Sequence, residues 1–283
     1  MQHLPGFGPL CQQYDGFILD LWGVIHDGVN PYPGAVDCLR EIQALGKPVV
    51  LLSNAPRRSF VAAKGLRKMG VGDHLYTGIM TSGEAAHLAL KSREHEWFAR
   101  LGRRVFHLGP ERDRNVIEGV DVVPVATPAD ADFVLNTGPD DLGGLTELSD
   151  YEGLLQECLA AGLPMICAYP DLEVLRGGIR LICAGALTQR YEAIGGQAFW
   201  LGKPDPAIYQ PVLQMLNVPG GRVLAVGDAL RTDIAGATAA GLESCWVLGG
   251  IHAAELGDDQ TRIEAAARAA GLAPVATLPS FVW

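Results

Sequence analysis

No stretch of this chain reaches the roughly 18 consecutive apolar residues that a membrane-spanning helix needs. The first residues, MQHLPGFGPLCQQ, carry neither the basic start nor the apolar run of a secretory leader. A cytoplasmic protein without a membrane partner is therefore expected. Cysteine is sparse: Cys11, Cys38, Cys158, Cys167, Cys183 and Cys245 form no CxxC pair and no zinc spacing, so reduced core residues are expected. The phosphate-cradling GxxxxGK[ST] loop is absent. Gly6-Phe7-Gly8 precedes the first strand and lacks a third glycine at the required offset, which removes a dinucleotide fingerprint and with it a Rossmann oxidoreductase. Positive charge is in deficit, with 22 Lys plus Arg against 32 Asp plus Glu and a formal net charge of −10. That balance disfavours nonspecific binding to nucleic acid or anionic membrane and points to a small-molecule partner.

What is present is the makeup of a folded α/β protein. A hydrophobic content of 48% with 19% charged residues leaves no room for long disordered segments, and 283 residues allow one large core or two domains. The chain is organised around YDGFILDLWGVIHDG, residues 14–28. Phe17, Ile18 and Leu19 form an apolar run that stops at Asp20, and Gly23 and Gly28 then break regular structure. This reads as a buried strand with a carboxylate at its C-terminal tip, the place where ligands bind in open parallel sheets. A strand-ending Asp that merely caps a turn is the alternative.

A helix opened by Pro33-Gly34 and closed by Gly46 follows, and PVVLLSN forms a second apolar strand ending at Ser53-Asn54. The two strands and their helix make a right-handed βαβ unit with parallel strands. Residues 59–69 read as a further helix, with Arg57, Arg58, Lys64, Arg67 and Lys68 on solvated faces. The rhythm then changes. A helix start at Thr81-Ser82-Gly83-Glu84, strands at 104–108, 132–137 and 164–168, and a helix at 150–161 suggest an inserted α/β domain over 82–195. Small residues at Thr81-Ser82 and Gly195-Gly196 mark the joins. The flanking 1–81 and 196–283 would form the other domain, resuming with Lys203-Pro204, a helix at 206–216, a strand at 222–226 ending in Gly227-Asp228, a helix at 232–240 and the strand SCWVL.

Asp20, Ser53 and Asp228 thus end three parallel strands, and Lys203 precedes the last of them. Two carboxylates in one crevice repel each other unless a hard cation such as Mg²⁺ holds both ionised. Ser53 and nearby backbone N–H groups can bind phosphoryl oxygens, and Lys203 adds a point charge. Asp20 then serves as a nucleophile that forms an aspartyl-phosphate. Asp233, five residues after Asp228, would be a metal ligand through water or would orient the ligands.

The set Asp20-x-Trp22-Gly23-Val24, Ser53-Asn54, Lys203-Pro204 and Gly227-Asp228 followed by Thr232-Asp233 resembles the four ordered motifs of the haloacid dehalogenase-like hydrolases. Insertion of an α/β cap between the second and third motifs is similar to class IIA, the p-nitrophenyl phosphatase-like and sugar or nucleotide phosphatase group. The resemblance covers about residues 14–250 and implies a Rossmann-like parallel-sheet core with an inserted α/β cap. It also implies an Mg²⁺-dependent phosphatase acting on a small phosphate monoester of the sugar phosphate or nucleotide class. By that resemblance Asp20 is nucleophile and metal ligand, the Trp22 carbonyl and the Asp228 carboxylate complete the protein ligands, Ser53, Asn54 and Lys203 meet the phosphate end, and Asp233 supports the metal. Ala168-Tyr169-Pro170-Asp171 stands where class IIA caps have an Asn-Pro-Asp loop, which makes Tyr169 and Asp171 candidates for substrate selection, with a plain turn built from Pro170-Asp171 as the alternative. Gly185-Ala186-Leu187 reads as a glycine-bearing turn near it. A homodimer is a possible state.

Trp22 departs from the pattern. Family phosphatases carry an Asp at this place that protonates the leaving oxygen and then activates water, and an indole does neither. A backbone carbonyl ligand survives the change, so acid–base catalysis is affected rather than metal binding. His26 and Asp27 in the same loop are candidate replacements, and solvated turn positions are their plainer reading. The competing function is a phospho-ligand-binding protein whose turnover is lost or restricted.

Overall fold

The strand residues 16–19 are apolar on both sides because the sheet they enter is covered on both faces, as all-parallel sheets are. In the computed structural model, which describes residues 1–140, 144–176, 179–251, 257 and 259–283, seven parallel strands make this sheet. They are β1 (Gln2–His3), β2 (Gly16–Leu19), β3 (Val49–Ser53), β4 (Gly78–Thr81), β12 (Val223–Gly227), β13 (Glu243–Val247) and β14 (Ala276–Leu278). The strands β5 to β11 belong to the insertion. The order across the main sheet is β1-β14-β13-β12-β2-β3-β4. Phe17, Leu19, Val49, Leu51 and Val226 face one apolar layer, and Ile18, Val50, Leu52 and Ala225 face the other, with the helices Ala35–Ala44 and Tyr209–Leu216 on opposite sides.

The strand order reverses direction between β2 and β12, since β3 and β4 run outward on one side and β13 and β14 on the other. Such a switch point leaves a crevice beyond the carboxyl ends of the strands. Register fixes what faces it: Leu19 pairs with Val226 and with Leu51, so Asp20 and Asp228 emerge side by side with Ser53 one strand away.

Between β4 and β12 a second parallel sheet has the order β11-β8-β7-β5-β6. Its strands are β5 (Arg104–Leu108), β6 (Val123–Val125), β7 (Phe133–Asn136), β8 (Met165–Cys167) and β11 (Ala198–Trp200). An antiparallel hairpin of β9 (Glu173–Arg176) and β10 (Ile179–Ile182) stands beside it. Val105, Phe133, Leu135 and Ile166 pack one face, while Val134, Met165, Leu155 and Leu187 pack the other. The helix Ser82–Ser92 leads into this region, capped by the Thr81 hydroxyl, which accepts the Glu84 N–H at 2.9 Å.

Three readings from the sequence change here. The insertion does not end at Gly195-Gly196: β11 lies beyond that pair and bonds to β8, and the Leu201 N–H still donates to the Cys167 carbonyl at 3.0 Å. The apolar face of Phe199 holds it there, packed against Trp97 and Phe98. Gly185-Ala186-Leu187 is not a turn but the first part of the helix Ala184–Ala193, which follows the extended Cys183. The basic group before and on the helix Ser59–Lys68 is not uniformly solvated either. Arg58 is largely buried and forks onto Glu84 at 2.7 and 3.0 Å, while the half-exposed Arg57 lines a cavity with its Nε 3.6 Å from the Asp113 carboxylate. All six cysteines are buried and unbridged. Among the described residues no helix is long and apolar enough to cross a membrane.

Candidate active site

Asp20 leaves β2 with its backbone N–H donating to the Val226 carbonyl at 2.9 Å, which locks the residue beside β12. Asp228 follows β12 directly. Its carboxylate accepts the Ile251 N–H at 2.7 Å, and its carbonyl accepts the Trp246 indole N–H at 2.9 Å. Asp233 lies in a π-helical turn, Leu230–Ile234, that folds back so that its carboxylate accepts the Ala229 N–H at 3.0 Å. Oxygens of Asp20, Asp228 and Asp233 all lie within 4.8 Å of one another, and all three residues are buried.

Glycine makes the cluster sterically feasible. A Cβ on Gly23, whose φ of +77° is left-handed, would sit 2.1 Å from Asp228 Oδ2, and one on Gly250 would sit 1.9 Å from the same atom. These two backbones can approach the carboxylate only without side chains.

Lys203 is the counter-charge. Its ammonium, 3% exposed as a residue, donates to Asp20 Oδ1 and Asp233 Oδ1, both at 2.6 Å, and to the Leu52 carbonyl at 3.0 Å. Burial alone would lower its pKa, but the Asp20 and Asp233 carboxylates outweigh that and hold it firmly cationic. Burial pushes the Asp20 carboxyl up and Lys203 pulls it back. Asp228 is pushed furthest, by burial and then by the Asp233 and Asp20 charges. One lysine facing three carboxylates leaves an excess of negative charge in an all-oxygen cage, the donor chemistry suited to a hard divalent cation. Asp20, Asp228 and Asp233 are the residues that would hold it, and Trp22, to whose carbonyl the family resemblance gives the same task, lines the same cleft.

Ser53 lies at the end of β3, buried, with its hydroxyl accepting the Ala55 N–H at 3.2 Å. Asn54 organises the region. Its side-chain oxygen accepts the Lys203 N–H at 2.8 Å, and its amide donates to the Lys203 carbonyl at 3.1 Å and to Asp171 Oδ1 at 2.9 Å. Asn54 therefore joins β3, the segment returning from the second sheet, and the 168–171 loop. Burial raises the pKa of Asp171 despite the Asn54 hydrogen bond and the charge of Lys203. Tyr169 also faces the cleft, and its hydroxyl is pushed well up by burial, with the Cys183 thiol beside it.

The two replacement acids do not fit that role. His26 is buried, its Nδ1 accepts the Gly28 N–H at 2.9 Å, and burial lowers its pKa to about 4, so the ring is neutral. Asp27 accepts the N–H groups of Asn30 and Val29 at 2.7 and 2.8 Å, which hold its carboxyl below the ordinary range and ionised.

Several contributors were not picked out from the sequence. Arg231 donates to the Pro170 carbonyl at 2.6 Å, linking the π-helical turn to the 168–171 loop. Gly202, at φ +125°, lets Asn54 and Ser82 approach, because a Cβ there would meet the Ser82 hydroxyl at 2.1 Å. Its position directly before Lys203 is the signal that could have marked it. Arg112 and Asp113 line an adjoining cavity and carried no sequence signal.

The first cavity, about 300 Å³, contains Asp20, Ser53, Lys203 and Asp228 beneath Tyr169 and Asp171. It is a cleft that holds the Asp20 carboxylate, the buried Lys203 ammonium and a cluster of three carboxylates, with Tyr169 and Asp171 also in its lining. Residues 17–123 match the family described as haloacid dehalogenase-like hydrolase, and residues 200–275 match a related haloacid dehalogenase hydrolase-like family. The ribonucleotide monophosphatase NagD of Escherichia coli is 30% identical over 83% of this chain and 87% of its own length. The chain belongs to the haloacid dehalogenase-like hydrolases, in their class IIA. A haloacid dehalogenase-like hydrolase structure from Brucella suis superposes on this hydrolase with a TM-score of 0.83 at 32% identity, covering 99% of this chain and 100% of that one. The D-glycerol 3-phosphate phosphatase of Mycobacterium tuberculosis is 29% identical over 87% of this hydrolase, which spans 66% of that relative, just under two thirds. A glycerol phosphate phosphatase from that organism, solved in complex with magnesium, gives a TM-score of 0.64 at 26% identity, covering 89% and 74% of the two chains.

Proposed function

We propose that this hydrolase is an Mg²⁺-dependent phosphatase that cleaves a small phosphate monoester through an aspartyl-phosphate on Asp20. The observation that carries the reading is the Lys203 ammonium at 2.6 Å from both Asp20 and Asp233, at the mouth of a three-carboxylate cage. Bound by Asp20, Asp228 and the Trp22 carbonyl, with Asp233 in support, Mg²⁺ would neutralise the carboxylates and attract the phosphoryl group. Lys203 fixes the attacking carboxylate and offsets charge on the phosphoryl oxygens, and Ser53 with the N–H groups after β3 receives those oxygens. An Asp20 oxygen attacks phosphorus as the ester P–O bond breaks. Water then attacks the acyl phosphate, releasing inorganic phosphate and restoring the Asp20 carboxylate. Residues 82 to about 201 act as the cap, with Tyr169 and Asp171 against the departing group.

The names of two relatives, a ribonucleotide monophosphatase and a glycerol 3-phosphate phosphatase, support a small phosphate monoester of the nucleotide or sugar phosphate class. Phosphate release from a panel of esters with Mg²⁺ and with a chelator tests the proposal. Metal-dependent release from at least one ester, lost in Asp20→Asn, is expected, and no release across the panel would overturn it. Trp22, with neutral His26 and ionised Asp27 beside it, favours one second reading: binding of phospho-ligands with restricted turnover.

A further inference from the structure

The side-chain amide of Asn54 has two donor hydrogens and an oxygen that accepts two more bonds, and all four places are taken. The amide nitrogen donates to Asp171 Oδ1 at 2.9 Å and to the Lys203 carbonyl at 3.1 Å, while the oxygen accepts the Lys203 N–H at 2.8 Å and the Ser82 hydroxyl at 3.3 Å. Turning the amide over would set its oxygen against the Asp171 carboxylate and the Lys203 carbonyl, so its partners fix its orientation. No hydrogen is left on this buried side chain for a phosphoryl oxygen.

These partners come from segments far apart in the chain. Ser82 opens the helix that leads into the insertion, Lys203 stands just after the segment that returns from it, and Asp171 lies in the 168–171 loop of the insertion itself. That loop is tied to the insertion, because the Gly185 N–H donates to the Asp171 carbonyl at 3.1 Å and a Cβ on Gly185 would sit 2.5 Å from that oxygen. Gly202 completes the joint. A Cβ there would meet Asn54 Oδ1 at 2.6 Å and Pro170 Cγ at 2.9 Å. Lys203 is thus gripped at both ends from β3 and its tip: the Leu52 carbonyl receives the ammonium, and Asn54 holds the backbone. Among the described residues Asp171 and Lys203 share no hydrogen bond, which leaves the Asn54 amide as the hydrogen-bonded link between them.

We infer that Asn54 is a positioning residue that couples docking of the 168–171 loop to the placement of Lys203. With Asp171 in place, both amide hydrogens have acceptors and the side chain is held in the orientation that grips Lys203 at its N–H and its carbonyl. When the loop lifts away, one N–H loses its acceptor, the side chain gains rotational freedom, and the hold on Lys203 loosens. The ammonium is then no longer fixed against Asp20 and Asp233. The consequence for turnover rests on the phosphatase reading: Lys203 is set for the phosphoryl group only while the insertion covers the cleft.

Exchange of the Lys203 amide hydrogen, followed by NMR in the ¹⁵N-lysine-labelled full chain with Mg²⁺, reports the coupling without turnover. Asp171→Ala removes the acceptor and should speed that exchange by about tenfold, the equivalent of one hydrogen bond to a charged group. Asp171→Asn, whose side-chain oxygen can still accept, should restore the wild-type rate. Asp171→Ser, whose hydroxyl stops short of the amide, serves if the alanine variant does not fold. Unchanged exchange in Asp171→Ala or Asp171→Ser, or an equal rise in Asp171→Asn, would overturn the inference. Phosphate release from phenyl phosphate is measured in parallel. Asp171→Ala should lower kcat by about tenfold with little change in KM, Asp171→Asn should recover it, and the loss should vanish in an Asn54→Ala background. No release by the wild type beside an intact effect on Lys203 exchange would refute the phosphatase reading alone. Release with losses from Asn54→Ala and Asp171→Ala that multiply would overturn the coupling.

Discussion

Lys203 Nζ lies 2.6 Å from Asp20 Oδ1 although 183 positions separate the two residues in the chain. The bond spans the whole insertion, so the carboxylate is held by a lysine that returns only after a second sheet has been built. Removing that lysine leaves buried carboxylates without their cation. In Lys203→Met, metal-free protein should lose roughly 3 to 5 kcal/mol, the usual effect of breaking a buried pair from one side. Urea unfolding with and without Mg²⁺ checks this, and the metal should recover part of the loss.

Asp228 gives the opposite sign. Its carboxyl is pushed well up by burial and by its acidic neighbours, so neutralising it relieves repulsion when no metal is bound. Asp228→Asn should therefore match or exceed the wild-type melting temperature in chelator while losing most of the Mg²⁺-dependent rise. For the wild type, Mg²⁺ at a hundredfold excess over Kd should add about 2.7 kcal/mol. An unchanged Mg²⁺ response in the variant would remove Asp228 from the metal site.

Asp20 should be indispensable as a nucleophile. Beryllium fluoride with Mg²⁺ should protect the wild type against thermal unfolding by mimicking the acyl phosphate, and Asp20→Asn should lose both this protection and turnover. Hydrolysis that persists in a contaminant-free variant would exclude the covalent route.

Trp22 predicts a steep dependence on the leaving group. A general acid contributes about 10² to 10⁴ in rate and matters most when the leaving oxygen is basic. Neutral His26 and ionised Asp27 do not replace it. Aryl and acyl phosphates should be cleaved far faster than alkyl phosphates, and kcat/KM against leaving-group pKa should fall steeply. Trp22→Asp should flatten that slope, although the indole also packs against Gly28, where a Cβ would sit 2.1 Å from the ring. A shallow slope in the wild type would show that a proton donor is already in place.

His26 ties stability to pH. Its folded pKa of about 4 lies below the unfolded 6.5, so the unfolded chain binds more protons between these values. Stability from this group is complete above about 6.5 and is lost as pH falls toward 4, by up to about 3 kcal/mol. His26→Gln should lose less stability than the wild type between pH 7 and 4.5. The buried carboxyls with raised pKa values act in the reverse direction, which is why the difference between the two proteins, rather than either curve, is the measurement.

The main strands were legible in the sequence because a strand buried on both faces must be apolar throughout, and Phe17-Ile18-Leu19 and PVVLLSN have no other use for such runs. Asp20, Ser53 and Asp228 were legible for the same reason: a polar residue ending an apolar strand marks where the sheet meets its ligand. The short strands β1, β6, β11 and β14, of two or three residues, carry too little pattern to be recognised alone. The hairpin β9–β10 is half exposed where its sides are described and lacks a fully apolar run.

The sequence by itself determined which residue types stand at the strand tips and that the acid expected at Trp22 is missing, since both are matters of local order and chemical identity. Only the tertiary structure decided the rest. It placed Phe199 and β11 with the second sheet, assigned the Asn54 amide to Lys203 and Asp171, buried His26 as a neutral ring, and brought Arg57 within 3.6 Å of the Asp113 carboxylate. These outcomes depend on burial and on contacts between distant segments. A charged or ring-bearing side chain reads the same in sequence whether it ends in water or in a closed chamber, and only packing chooses between them.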